Sequence, residues 1–262
     1  MKTSKFTAAL TILLISIFAS ELFSQSRKTP FYEIKVYHFE DQGQEAVIDE
    51  YLKNAFMPAM NRQGIRNVGV FKPINNGEVK DKRIYVLIPF KSAKNYIGAS
   101  ELLVKDASYN NDGKSYLEAV YNKAPYQRME SIFIKAFDDM PAMQIPALKN
   151  ELQKRVYELR SYEGPTEKMY AKKVEMFNKG GEIALFKRLG FNAVFYGSVI
   201  AGSKMPNLMY MTTFEDMAAR NAHWDAFRVD PEWKKLAAMD YYKNTVSKNE
   251  TILLHPTEYS GI

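Results

Sequence analysis

Tyr157-Glu158-Leu159-Arg160-Ser161-Tyr162 decides the fold, because a stretch of the same character stands 125 positions earlier, at Tyr32-Glu33-Ile34-Lys35-Val36-Tyr37. Both stretches place an acidic and a basic side chain two positions apart between tyrosine ends. The same displacement aligns Arg83-Ile84-Tyr85-Val86 with Leu208-Met209-Tyr210-Met211. The chain therefore contains one structural unit twice. This repeat says more about architecture than about chemistry.

The hydrophobic pattern of each copy predicts a strand, a helix, two strands, a helix and a strand. In the first copy Phe31 to Phe39 alternates with the period of a strand, whereas Val47 to Met60 carries apolar residues every three or four positions. Asn75-Asn76-Gly77 is typical of a hairpin turn, and Met129 to Phe137 predicts the closing strand. The order β-α-β-β-α-β predicts an α+β protein with two tandem ferredoxin-like units.

The predicted organisation begins with a signal peptide at residues 1–24. Lys2 and Lys5 precede an apolar run from Phe6 to Ala19, which is too short for a membrane-spanning helix and has the plan of a secretory signal. Cleavage is expected after Ser24, with Ala19-Ser20 as the alternative. We therefore expect an exported protein, periplasmic or secreted. The two ferredoxin-like domains are expected at residues 31–140 and 155–258, with no integral membrane span.

Composition excludes several classes of site. The chain has no cysteine, so it has neither disulfides nor thiolate metal ligands. Its net charge of +6 is spread among acidic residues, which argues against nucleic acid as a partner and leaves an acidic polysaccharide as a minor alternative. His38, His223 and His255 lack the spacing of a metal site. No metal and no cofactor is therefore expected.

Several separated motifs of the second copy resemble the NIPSNAP family. They are Glu158-Leu159-Arg160-Ser161-Tyr162, Phe214-Glu215-Asp216, Arg220, Trp224 and Asp230-Pro231-Glu232-Trp233. The resemblance implies a pseudo-dimeric α/β barrel, in which two four-stranded sheets pack face to face. It implies no catalytic residue, because this family has no agreed activity. The first copy lacks counterparts of Arg220 and Trp224, so we expect it to be scaffold.

The alternation of side chains along a strand separates the repeated stretch into two faces. Leu159 lies on one face and is expected to point towards the helices. The polar residues of the other face are expected to point between the two sheets, where buried charges must be paired. The expected pairs are Glu158 with Arg160 and Glu33 with Lys35. Tyr162 and its counterpart Tyr37 share this polar face.

Two interpretations of the polar residues remain open. In the first, they line a ligand site in which Arg220 holds an anion and Trp224 stacks on a flat molecule. In the second, they form a structural ion-pair network, with Trp224 in the core and Arg220 bound to Asp216 or Glu158. The candidate ligand-binding residues are Glu158, Arg160, Tyr162, Tyr210, Arg220, His223 and Trp224.

The sequence favours a non-catalytic function, the binding of a small or apolar ligand or of a protein partner. A true homo-oligomer beyond the internal pseudo-dimer is a further expectation. The alternative is a cofactor-independent monooxygenase or isomerase, or a haem-binding protein, that uses the barrel cavity.

Overall fold

The protein, described over residues 30–262 by a computed structural model, is built around one closed barrel of eight strands. The strands are β1 (Phe31–Phe39), β2 (Gly69–Pro73), β3 (Lys82–Phe90), β4 (Arg128–Ala136), β5 (Val156–Glu163), β6 (Asn192–Ala201), β7 (Asn207–Phe214) and β8 (Lys248–Pro256). Their order around the barrel is β1-β3-β2-β8-β5-β7-β6-β4, and all neighbours are antiparallel. The α+β barrel class is confirmed. The predicted signal peptide and its cleavage site lie outside the described residues.

Helices cover the outside of each half of the barrel. The first half has α1 (Gln42–Tyr51), a π-helical segment (Leu52–Phe56), α2 (Met57–Arg62), α3 (Ala93–Lys105), α4 (Ala107–Asp112) and α5 (Lys114–Leu117). The second half has α6 (Glu167–Phe177), α7 (Glu182–Arg188), α8 (Met217–Val229), α9 (Pro231–Ala238) and a 3-10 turn at Asp240–Tyr242. Within the described residues no helix is both long and apolar enough to cross a membrane.

Local sequence signals explain where the helices begin. Ser92, Thr166 and Asp216 are N-cap residues, and each side chain accepts a hydrogen bond from the backbone N–H three positions later. Gly180 and Gly181 lie between α6 and α7. Gly181 has a φ of 89°, a left-handed conformation that glycine adopts without strain.

The two repeats join through direct strand pairing at two seams, and the inner faces of their sheets pack on each other across the barrel. One seam is β2 with β8, where Phe71 lies opposite Pro256. The other is β4 with β6, where Ala136 lies opposite Gly197. A Cβ atom on Gly197 would collide with the Ile134 side chain, so glycine permits this close approach. The domain limits at 31–140 and 155–258 stay a prediction.

The interior of the barrel is filled by side chains. An eight-stranded barrel has room for little more than its own inward-facing residues. Here the interior holds aromatic rings and long aliphatic groups, and Leu148 and Ile262 from outside the strands join them. The largest of its completely buried side chains are Tyr32, Phe71, Tyr157 and Phe195. A cavity of about 40 Å³ beside Ser161 and Asn207 has room for a few water molecules and for no larger ligand.

The prediction of which strand face points inward is wrong. Leu159 and Tyr157 lie inside the barrel, whereas Tyr162 packs in the cluster beneath the helices of the second half. Glu158 bonds to side chains of α8, so it too lies on the helix side. The middle of the barrel interior is packed with apolar side chains and would leave charged groups without water, whereas the edge of a helix layer lets a long side chain reach solvent.

The alignment of Tyr85 with Tyr210 is also wrong by one residue. Lys35 of β1 pairs with Val86, whereas the equivalent Arg160 of β5 pairs with Tyr210. A one-residue shift moves a side chain to the opposite face of the sheet. Tyr85 therefore lies in the barrel interior, whereas Tyr210 lies under the helices. The correct offset from β3 to β7 is 124 positions.

Candidate ligand-binding sites under the helices

The carboxylate of Glu158 is the centre of a buried polar cluster in the second repeat. It accepts a hydrogen bond from Arg160 Nε at 2.6 Å and from Arg220 Nε at 2.7 Å. Trp224 Nε1 donates to the same carboxylate at 2.8 Å. The Glu158 side chain is 0% exposed, so these donors replace all of its lost water. The predicted pairing of Glu158 with Arg160 is confirmed.

Arg160 links this carboxylate to two tyrosines. Its Nη1 donates to Tyr162 Oη at 2.8 Å, and the Tyr162 and Tyr210 hydroxyls lie 2.9 Å apart. The guanidinium carbon lies 4.1 Å from the centre of the Trp224 ring, a cation–π contact. Hydrogen bonds thus connect the carboxylate, the guanidinium group and the two tyrosine hydroxyls.

The surroundings of Glu158 favour its carboxylate form, whereas those of Tyr210 favour its neutral form. Burial opposes ionisation of Glu158, but hydrogen bonds from Arg220 and the charge of Arg160 outweigh it and hold the pKa of the carboxyl below its usual value. Burial raises the pKa of Tyr210 well above that of a free phenol. At neutral pH the cluster therefore contains one carboxylate, two guanidinium groups and a neutral Tyr210.

Six of the seven candidate residues belong to this cluster. His223 does not: its Nδ1 bonds to the Ala219 carbonyl oxygen at 2.7 Å, and its ring packs edge-on against Phe191. The second, structural interpretation describes this geometry, since Trp224 is in the core and Arg220 is bound to Glu158.

Sequence reasoning missed a second buried ion pair in this repeat. Lys173 Nζ of α6 lies 2.7 Å from Glu182 Oε2 of α7, and the two side chains are 8% and 3% exposed. The signal was present in the sequence, because Lys173 falls on the same helix face as Met169 and Phe177. A lysine on an apolar face indicates a buried partner.

The first repeat has a smaller polar pair at the equivalent place. Lys35 Nζ lies 3.2 Å from Glu33 Oε1, which confirms the predicted pair. Ser131 Oγ donates to the same oxygen at 2.7 Å. The Glu33 side chain is 6% exposed and that of Lys35 is 22% exposed. A lysine and a serine hydroxyl thus replace the two guanidinium groups and the indole that surround Glu158.

An open cleft of about 330 Å³ lies beside this pair, between β1, β3 and the helices of the first repeat. Its volume is at the lower end of the range of small-molecule sites. Glu33 and Lys35 are its charged lining residues. The other walls are mainly apolar and include Phe56, Met60, Ile88, Phe90, Tyr96 and Leu103.

Two substitutions between the repeats explain the cleft. Helices α3 and α8 are each 13 residues long, and their N-caps Ser92 and Asp216 are again 124 positions apart. This alignment places Tyr96 opposite Arg220 and Ser100 opposite Trp224. Ser100 lines the cleft, whereas Trp224 fills the corresponding place in the second repeat. The expectation that the first repeat is scaffold did not anticipate this opening.

His38 and His255 have different hydrogen-bond partners. His38 Nδ1 lies 2.8 Å from Asp81 Oδ1 and its Nε2 lies 3.4 Å from Glu130 Oε1, whereas His255 Nδ1 lies 2.8 Å from the Arg155 carbonyl oxygen. Over residues 30–262 no three histidine or acidic side chains are grouped closely enough to hold a metal ion. Neither cleft nor cluster contains a histidine as a lining or bonded group.

Comparison with known protein families gives a match for the second repeat. Residues 157–261 match the NIPSNAP family model, and this segment contains the whole Glu158 cluster. The second repeat is a NIPSNAP domain. The match begins at the first strand of that repeat and ends beyond β8, so the first repeat lies outside it. No curated protein matches the sequence.

Two solved structures share the fold of most of this chain. A protein of Lactobacillus acidophilus NCFM, provisionally named a monooxygenase, aligns over 87% of this chain and 94% of its own at 13% identity, with a TM-score of 0.58. A similarly named protein of Fusobacterium nucleatum aligns over 87% and 92% at 9% identity, with a TM-score of 0.55. A NIPSNAP family protein of Agrobacterium tumefaciens aligns over 40% and 96% at 19% identity, with a TM-score of 0.36. The two longer alignments identify a shared barrel fold.

Proposed function

We propose that the protein is an exported, non-catalytic binder of a small apolar molecule, and that the cleft of the first repeat holds the ligand. The observation that carries this proposal is the exchange of Trp224 for Ser100 at equivalent positions. Where tryptophan stands, the space between helix and sheet is filled; where serine stands, a cleft of about 330 Å³ remains.

The lining of the cleft suits an apolar ligand. Burial of apolar surface contributes roughly 25 cal/mol per Å², so a ligand that covers these aliphatic and aromatic side chains gains affinity from contact area. Tyr96 provides a fixed aromatic wall, since its ring stacks on Phe133 with centroids 4.1 Å apart and packs edge-on against Phe90. A preformed wall lowers the entropy cost of binding.

The NIPSNAP repeat then has a supporting role. Its Glu158 cluster has few free polar groups, because the carboxylate and the Trp224 indole satisfy each other. In this proposal the second repeat stabilises the barrel, and the duplication divides the two tasks between the copies.

Native mass spectrometry of the purified protein tests the proposal. We expect an additional mass of a small molecule on the wild type, or saturable binding of the neutral dye N-phenyl-1-naphthylamine. Ser100→Trp should abolish both by filling the cleft, whereas Ser108→Trp, at an exposed position of α4, should change neither. Equal binding by the wild type and Ser100→Trp would contradict the proposal, as would the absence of any binding.

A cofactor-independent oxygenase is the second candidate, because the two full-length structural neighbours are provisionally named monooxygenases. Because the barrel interior is packed, such a reaction would take place in the cleft of the first repeat. Oxygen uptake in the presence of the co-purified ligand would favour this candidate. Release of the ligand unchanged would favour binding alone.

A further inference from the structure

The polar end of the first-repeat cleft has a hydrogen-bonding pattern that selects among apolar ligands. Glu33 Oε1 is occupied, since both Lys35 and Ser131 approach it. Glu33 Oε2 accepts no hydrogen bond from any residue between 30 and 262. Glu33 is one of the residues that line the cleft, so this oxygen is the acceptor that we assign to a ligand bound there.

Lys35 supplies the complementary group. An ammonium has three N–H donors, and Glu33 is its one acidic partner in the described part of the chain. The Lys35 side chain is 22% exposed and also lines the cleft. The polar end of the cleft thus presents an N–H donor and a carboxylate acceptor side by side.

The charge of this pair is balanced. A ligand carboxylate would gain from Lys35 but would lie beside the buried charge of Glu33, and like charges at such distances repel strongly where water is scarce. A ligand ammonium would meet the same difficulty with Lys35. A hydroxyl group donates one hydrogen bond and accepts others, so it fits both partners without adding charge.

We propose that the ligand of this cleft is an uncharged apolar molecule with a hydroxyl head group, an alcohol or a phenol. The hydroxyl donates to Glu33 Oε2 and accepts from Lys35 Nζ, while the apolar part lies against Tyr96 and Phe90. This inference rests on the proposed function of the cleft. It goes further by assigning the head group of the ligand.

A series of eight-carbon probes tests the head group. Octan-1-ol, octan-2-one and octanoate differ at one end alone, and each can compete with N-phenyl-1-naphthylamine for the cleft. We expect octan-1-ol to bind most tightly, octan-2-one next and octanoate most weakly. Octanoate as the tightest of the three in the wild type would overturn the inference.

Glu33→Gln should change the affinities for octan-1-ol and octanoate in opposite directions. Unfolding of the variant would weaken the binding of both. The variant keeps the size of the side chain and removes its charge. Octan-1-ol should bind about tenfold more weakly, because a hydrogen bond to a charged acceptor is lost. Octanoate should bind about tenfold more tightly, because Lys35 is released and the repulsion is gone. Equal shifts for both probes would overturn the assignment.

Two patterns of failure can be told apart. If no probe competes with the dye, or if Ser100→Trp leaves competition unchanged, the cleft is not the ligand site and the proposed function fails. If all probes compete and Ser100→Trp abolishes binding, but the ranking does not respond to Glu33→Gln, the cleft stands and the hydroxyl assignment alone is wrong.

Discussion

Trp224 donates its indole N–H to the fully buried carboxylate of Glu158 at 2.8 Å, so one side chain both fills the second repeat and supplies a hydrogen bond to its polar centre. The first repeat has Ser100 at the equivalent position, and there the corresponding carboxylate, Glu33, lines an open cleft. The same backbone therefore supports a filled and an open site.

Glu158→Gln should destabilise the protein by about 3–5 kcal/mol, because it leaves two guanidinium groups buried without their shared carboxylate. The free energy of unfolding in urea measures this loss. Glu33→Gln is the matched control in the other repeat. It should cost about 1 kcal/mol, since Lys35 is partly exposed and can turn to water. Equal losses in the two variants would contradict the contrast between the sites.

The stability of the protein should depend on pH through Glu158. Its folded pKa lies below that of a free glutamate, which is about 4.3, so its contribution is fully present above that value. The contribution is lost as pH falls towards the folded pKa, where the carboxylate becomes protonated. The wild type should therefore lose its advantage over Glu158→Gln as pH falls from about 5 into the acid range below about 4.3. Urea unfolding of both proteins across this range measures the difference, and a constant difference would contradict the assignment.

Lys173 and Glu182 should behave as a coupled buried pair. Lys173→Met alone should cost about 3–5 kcal/mol, because it strands the Glu182 charge. Adding Glu182→Leu should recover much of that loss, since two apolar groups then pack together. A double-mutant cycle by thermal unfolding measures the coupling. Additive losses would show that the two side chains act independently.

The repeated strand shows which features of the site can be predicted from the sequence. Its period-two pattern correctly places Glu158, Arg160 and Tyr162 on one face and predicts the pairing of Glu158 with Arg160. The pattern does not state which face points inward, because both faces of this strand are covered. Closure of the barrel decides that Leu159 lies inside.

The cleft could not be predicted for a related reason. The alignment of Tyr85 with Tyr210 rests on residue identity, whereas strand pairing follows an offset one residue shorter. Without that register, Ser100 cannot be placed opposite Trp224. The lysine on the apolar face of α6 was, by contrast, visible in the sequence as a sign of Glu182 or a similar partner.

Trp224→Ser should create in the second repeat the opening that the first repeat already has. The substitution should cost about 3–5 kcal/mol, as expected for removal of a large buried ring and its hydrogen bond. Trp224→Phe keeps most of the ring and should cost about 1–3 kcal/mol, mainly for the unpaired carboxylate oxygen. Thermal unfolding ranks the two variants, and a smaller loss for Trp224→Ser would contradict the packing role.

The number of binding sites for a neutral apolar probe tests the division between the repeats most directly. A titration with N-phenyl-1-naphthylamine should give about one site in the wild type, none in Ser100→Trp and about two in Trp224→Ser, because each change fills or opens one helix-covered cleft. The same number of sites in all three proteins would contradict the account.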